Sequence, residues 1–114
     1  MTSNNNEAGK YELIIAIVNR GFSDAVMDAA KEAGAHGGTV FLARGTGAND
    51  TQKFFGITIQ PEKEVVMILV PREKKRDIMR AVGRGASLTR EGRGMAFSLP
   101  VDDVVGVVRM MSEE

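Results

Sequence analysis

The chain has 114 residues, the size of one domain around one hydrophobic core. Fifteen Lys and Arg balance fifteen Asp and Glu, and a chain without net positive charge is not a general polyanion binder. It contains no cysteine, which excludes disulfides, thiol catalysis and cysteine metal sites and is compatible with a cytoplasmic location.

The opening MTSNNNEAGK is polar and lacks the apolar stretch of a signal peptide. Residues 1–10 are expected to be a disordered leader to a single domain over 11–114. No later apolar run approaches the ~20 residues that span a bilayer, so the chain is not expected to be membrane-embedded. YELIIAIV (11–18) is almost continuously apolar and rich in β-formers, and predicts a central strand buried on both faces. NRG breaks it. FSDAVMDAAKEAGA predicts a helix capped by Ser23, with Phe22 as a staple before it. Val26, Ala30 and Ala33 form its apolar face, and Gly34 stops it.

GGTVFLARG (37–45) predicts a second strand bounded by glycines. TGANDTQK (46–53) is polar and turn-rich, hence a loop. FFGITIQ (54–60) alternates weakly, as a short strand would, and PEK (61–63) reads as a turn. EVVMILVP (64–71) is another buried strand, stopped by Pro71. Residues 72–85 have helical spacing at Ile78, Met79 and Val82, with the cationic side chains facing water and Gly83 and Gly85 ending the helix. GMAFSLPV (94–101) is the last long strand. DDVVGVVRMM after it predicts a short strand or a helical turn.

The order β-α-β-loop-β-α-β predicts an α+β ferredoxin-like βαββαβ domain, an antiparallel sheet with two helices on one face. The other sheet face would be apolar and open, and self-association is the simplest way to cover it.

The stretch GRGASLTREGRGMAF (83–97) concentrates the chemistry. Arg72, Lys74, Lys75, Arg76, Arg80, Arg84, Arg90 and Arg93 crowd into this region and the helix before it, a basic patch that suits a small anionic ligand. In Gly92-Arg93-Gly94 the glycines tolerate the positive φ of a backbone nest for phosphate, and arginine adds a fork of donors. The competing reading is a hairpin turn with an exposed arginine. An RGG-type RNA-binding tail would need repeated triplets in a disordered segment, whereas a strand starts immediately here, so no nucleic-acid partner is expected. His36 has no partner at metal-ligand spacing and reads as a solvated turn residue. No serine lies in a G-x-S-x-G context, and no carboxylate pair has an acid-base arrangement, so an enzyme is not expected.

Several motifs, in order, carry a family resemblance: Gly37-Gly38-Thr39-Val40, then Gly45-Thr46-Gly47, then LTREGRGMAF (88–97), then PVDDVV (100–105). Over residues 11–108 the chain resembles the PII signal-transduction proteins, in particular PII-like relatives with a shortened T-loop. The resemblance implies a homotrimer that binds an adenine nucleotide, ADP, ATP or a related one, in clefts between subunits and regulates a transporter or metabolic enzyme. It implies no obligatory cofactor and leaves Mg²⁺ open. By resemblance Thr39, beside Gly38, contacts the adenine. Gly45 and Gly47, flanking Thr46, let backbone approach the nucleotide. The turn Glu91-Gly92-Arg93-Gly94 is the phosphate-cradling B-loop, with Arg90 in the place of a family lysine.

The chain departs from the pattern at specific places. Met95 stands where the B-loop has a lysine, and Gly106 and Val108 stand where the family has two arginines, with Arg109 one residue beyond. Arg44, Arg90, Arg93 and Arg109 are the residues that would rebuild a phosphate site. Asn49 replaces the glutamine that helps bind 2-oxoglutarate, and the modified loop tyrosine has no counterpart, Tyr11 being the only tyrosine. Two alternatives stay open: a ferredoxin-like trimer binding a metal or another small ligand, and a small enzyme hydrolysing nucleotides slowly.

Overall fold

The computed structural model describes residues 9–45 and 61–106 and, between them, the backbone of 52–54 and 57–59. Along the chain run β1 (Tyr11–Asn19), α1 (Ser23–Glu32), β2 (Thr39–Arg44), β3 (Gln52–Phe54), β4 (Ile57–Ile59), β5 (Glu62–Pro71), a 3₁₀ turn (Arg72–Lys74), α2 (Lys75–Gly85) and β6 (Gly94–Val101). Four strands form one sheet in the order β2-β5-β1-β6, with every neighbouring pair antiparallel. That is the ferredoxin-like βαββαβ order, with the ribbon β3–β4 inserted between its second and third strands. FFGITIQ, expected as one short strand, instead contributes to both arms of this ribbon. Glu62 and Lys63, expected in a turn, already belong to β5. They pair with Arg44 and Ala43 of β2, and Lys63 also with Asn19 of β1, because the ladder continues past the apolar run.

Alternation along the strands fixes the two faces of the sheet. Ile14, Ala16 and Val18 of β1 and Val66, Ile68 and Val70 of β5 are fully buried against Val26 and Ala30 of α1 and Ile78 and Val82 of α2. The opposite face carries Leu13, Ile15 and Ile17, which are only half-buried. The register sets them beside Leu69, Met67 and Val65 on β5 and Leu99, Phe97 and Met95 on β6. So β1 is buried on one face within the protomer rather than on both, because the helices cover one side only. Phe41, Met95, Phe97 and Leu99 are exposed on the open side.

Ser23 does not cap α1 with its side chain. It is the first helical residue, and its N–H donates to Glu64 Oε1 of β5 at 2.9 Å. One orphan donor of the helix N-terminus thus meets a carboxylate from the sheet, which charge and macrodipole both favour. Its end follows the sequence. Gly34, at φ +116°, donates to Lys31 O, and Ala35 N donates to Ala30 O at 2.9 Å, a Schellman motif.

The helix α2 ends at Gly85, as expected, while Gly83 lies inside it. It closes with a second Schellman motif, Ser87 N to Arg84 O and Leu88 N to Gly83 O, whose left-handed residue is Ser87 at φ +56° rather than a glycine. Gly85 also serves packing: a Cβ there would stand 2.6 Å from Ala29 Cβ of α1. The start of α2 is tied to the sheet through Glu12, 7% exposed, which lies 3.8 Å from Arg72 Nε and 3.9 Å from Lys75 Nζ. Not all the cations of this segment therefore face water unpartnered.

Of the expected leader, residues 1–8 lie outside the described residues. The Lys10 carbonyl accepts a hydrogen bond from Arg72 N at 2.8 Å, and the Gly9 carbonyl one from Arg72 Nη1. After β6, residues 102–106 are neither strand nor helix, and the rest of DDVVGVVRMM lies outside the described residues.

Candidate functional site

The chain ends of β1 and β2 and the chain beginnings of β5 and β6 meet at one end of the sheet. There Asn19 pairs with Lys63, Arg44 with Glu62, and Val18 with Gly94. This end carries both the predicted Arg44 and Gly45, on edge strand β2, and the turn Gly92-Arg93-Gly94, at the start of the opposite edge strand β6.

The turn is built by local chemistry. Gly92 has φ +81° and Gly94 φ +130°, on either side of Arg93, the alternation from which anion-binding nests are made. Arg90 N donates to Ser87 O and Arg93 N to Arg90 O, so successive turns carry the chain from α2 to β6. Gly94 is sterically obligatory, since a Cβ there would sit 2.3 Å from the Ile17 carbonyl oxygen. A Cβ at Gly92 would meet nothing within 4 Å, so the space above that residue is open.

Two residues not singled out in the sequence hold this end together. Lys63 Nζ donates to Asn19 Oδ1 at 2.8 Å, and Asn19 Nδ2 donates to the Gly92 carbonyl at 2.9 Å. Lys63 also runs alongside Gly45, where an added Cβ would meet Lys63 Cε at 2.8 Å. The side chains thus form a continuous link from the end of β2, through β5 and β1, to the glycine turn. The signal was present in outline: Asn19 is the first polar residue after a long apolar run, and PEK carries charges that alternate into the strand.

The predicted residues separate into groups. Arg44 and Gly45 lie at the base of the 46–60 segment; Thr46 and Gly47 are outside the described residues, as is Arg109. Gly38 and Thr39 precede and begin β2. Thr39 pairs with Met67, four residues along the strand from the Ala43–Lys63 pair, about 14 Å at strand rise. Thr39 shares the open face with Ile15 and Phe97. Gly38 is needed for packing, because a Cβ would approach Met67 O at 2.9 Å and Met27 Sδ at 3.0 Å.

Arg93 does not extend freely from its turn. Its guanidinium lies 4.4 Å over the Phe22 ring, a cation–π contact that fastens the turn to the start of α1. Arg93 Nε is buried and has no hydrogen-bond partner among the described residues. Glu91 is exposed. Arg90, whose carbonyl accepts from Arg93 N, also lines a cavity with Arg80 and Arg84 of α2.

Glu64, beside this region, has its carboxyl held below the ordinary range. The Ser23 side chain is the main cause, followed by the Ser23 N–H, with smaller help from the Gly21 backbone and the Arg20 charge; burial opposes them. Arg20 itself pairs with Glu62. Among the described residues no three His, Cys, Asp or Glu side chains come together as a metal site, and no helix is long and apolar enough to cross a membrane.

The comparisons agree with this architecture. The chain is similar in structure to Arabidopsis thaliana PII, solved bound to citrate, with a TM-score of 0.68 and 26% identity over 90% of this chain and 87% of that one. It shares its fold with the B. subtilis GlnK of an ATP complex, with a TM-score of 0.68 and 14% identity over 89% of this chain and 90% of that one. No curated protein sequence matches it. The family described as "Nitrogen regulatory protein P-II" matches residues 11–111, nearly the whole chain, and the protein belongs to that family.

Proposed function

We propose that this protein is a homotrimeric regulator that binds an adenine nucleotide in clefts between protomers and signals the nucleotide state to a transporter or metabolic enzyme. The observation that carries the reading is the link Gly45–Lys63–Asn19–Gly92 at one end of the sheet. It couples the glycine turn suited to phosphate to the base of the segment that the resemblance makes the partner-facing loop. A ligand that orders one would bias the other, provided it binds the two arrangements with different affinity. The role is regulatory rather than catalytic.

Assembly is supported by the open face. Phe41, Met95, Phe97 and Leu99 are exposed beside the half-buried Leu13, Ile15 and Ile17, a contiguous apolar surface that a lone protomer would present to water. Association through it also explains why β1 is apolar on both faces. The two similar proteins, solved with ATP and with citrate, favour anionic small ligands for this fold.

The test is calorimetric titration with AMP, ADP, ATP, cyclic AMP, cyclic di-AMP and GTP, with and without Mg²⁺, alongside light scattering. The expected result is adenine-selective binding at one site per protomer, and a mass of about 37 kDa, three times the 12.3 kDa protomer. Thr39→Val should reduce selectivity for adenine over guanine. A monomer in solution, or the absence of binding to any of these nucleotides, would refute the proposal.

A further inference from the structure

The cavity that Arg90 lines lies at the end of α2. It is open, about 470 Å³, and lined by Arg80, Gly83, Arg84, Ser87, Thr89 and Arg90. Its lining residues include three arginines, a serine and a threonine, and no acidic residue. None of the three arginines has an ion pair among the described residues. The nearest acids in sequence, Asp77 one turn before Arg80 and Glu91 next to Arg90, are not part of the wall.

Two residue choices at the same place are not demanded by the fold. Gly83 sits inside the helix, where glycine costs about 1 kcal/mol relative to alanine, yet a Cβ there would meet nothing within 4 Å. Unlike Gly85, it is not demanded by packing, and it leaves its part of the cavity wall without a side chain. Ser87 is the one non-glycine residue with positive φ among the described residues, at +56°. A glycine would relieve that strain but remove a hydroxyl from the wall.

The ordinary account of cations at a helix C-terminus is that they offset the macrodipole. That terminus is worth about half a negative charge, and its Gly83 and Arg84 carbonyls already accept hydrogen bonds from Leu88 and Ser87. Three positive charges exceed what it needs. We propose that this cavity is a second anion site, for a small ligand bearing a di- or polyphosphate group, separate from the glycine turn. Arg80 and Arg84, one helical turn apart, would grip neighbouring phosphates from the helix, and Arg90 would close on them from the loop. The site lies on the helical layer, away from the open sheet face, so association through that face leaves it accessible.

The experiment is titration of the full chain with inorganic phosphate, pyrophosphate and, as a carboxylate control, malonate at physiological ionic strength. It is repeated for Arg80→Gln/Arg84→Gln and for Gly83→Leu, which adds a side chain to the cavity wall. All three positions have room at the surface, and circular dichroism and melting verify the fold. Pyrophosphate should bind once per protomer, more tightly than phosphate or malonate. The double variant should bind it about a hundredfold more weakly, about tenfold for each arginine, and Gly83→Leu should abolish binding, while adenine-nucleotide binding is unchanged in both. The proposal is overturned if wild type does not bind pyrophosphate, or if the variants bind it as wild type does. Parallel loss of pyrophosphate and ATP would also overturn it, because the cavity would then be the phosphate end of the nucleotide site.

Discussion

Asn19 offers the sharpest test of how the two loops communicate. Its amide makes two long-range hydrogen bonds with different donors, one from Lys63 and one to the Gly92 carbonyl. Asn19→Ala removes both. At about 1 kcal/mol net for each bond, the loss is about 2 kcal/mol, which for a domain of this size lowers Tm by roughly 5–10 °C. Asn19→Asp separates the two bonds. The carboxylate keeps an acceptor for the Lys63 ammonium but cannot donate to Gly92, and it faces that carbonyl with negative charge. Asp should therefore retain much of the stability that Ala loses while loosening the glycine turn at least as much. If the turn must be held in place for a ligand to bind, releasing about 1 kcal/mol of tethering weakens affinity about fivefold. Hydrogen exchange at the Gly92–Gly94 amides, together with calorimetric nucleotide titration, reads both effects. If exchange at the turn is unchanged in both variants, the link does not hold the turn and the reasoning is wrong.

Three further outcomes test the fold's local logic. Gly85→Ala places a methyl about 1 Å inside ordinary contact with Ala29, and should cost about 1–2 kcal/mol despite alanine's better helix propensity. Urea denaturation of the cycle with Ala29→Gly should show the double variant less destabilised than the sum of the two singles, and strict additivity would deny the contact. Glu64→Gln should destabilise by about 1 kcal/mol at pH 7, because the α1 N-terminus loses its charged cap. Since the folded carboxyl titrates below its unfolded value, that contribution is full above the ordinary carboxylate pKa, near 4.3, and is lost as pH falls through the lowered folded value. Melting of the two proteins should thus converge in acid, and a gap that persisted at pH 2 would contradict the assignment. Ser87→Gly should raise stability by about 1 kcal/mol by relieving a left-handed residue, and an unchanged or lower Tm would show the strain to be absent.

Much of the fold was legible because periodicity reports which faces are apolar. The apolar runs at 11–18 and 64–71 and the helical spacing of Val26, Ala30, Ile78 and Val82 gave the element order, and hence the ferredoxin-like plan. The glycine turn was legible for a local reason: glycine permits the positive φ that Gly92 and Gly94 adopt, which other residues resist. The open sheet face followed from two helices having only one face to cover.

The tertiary structure alone decided what those elements meet. Glu64 reaches Ser23 across 41 residues, and Asn19 reaches Lys63 across 44 and Gly92 across 73, because strand register sets them at one sheet end. Composition does not encode register, since a one-residue slip exchanges the two faces of a strand without altering its residues. The same holds for the two helix glycines, alike in sequence. Gly85 faces Ala29 and is a packing residue, whereas Gly83 faces open space and leaves a basic cavity uncovered. Arg90 and Arg93 lie three residues apart in one basic loop. The turn between them sends Arg93 onto Phe22 and Arg90 toward α2, a division made by the path of the backbone rather than by the side chains.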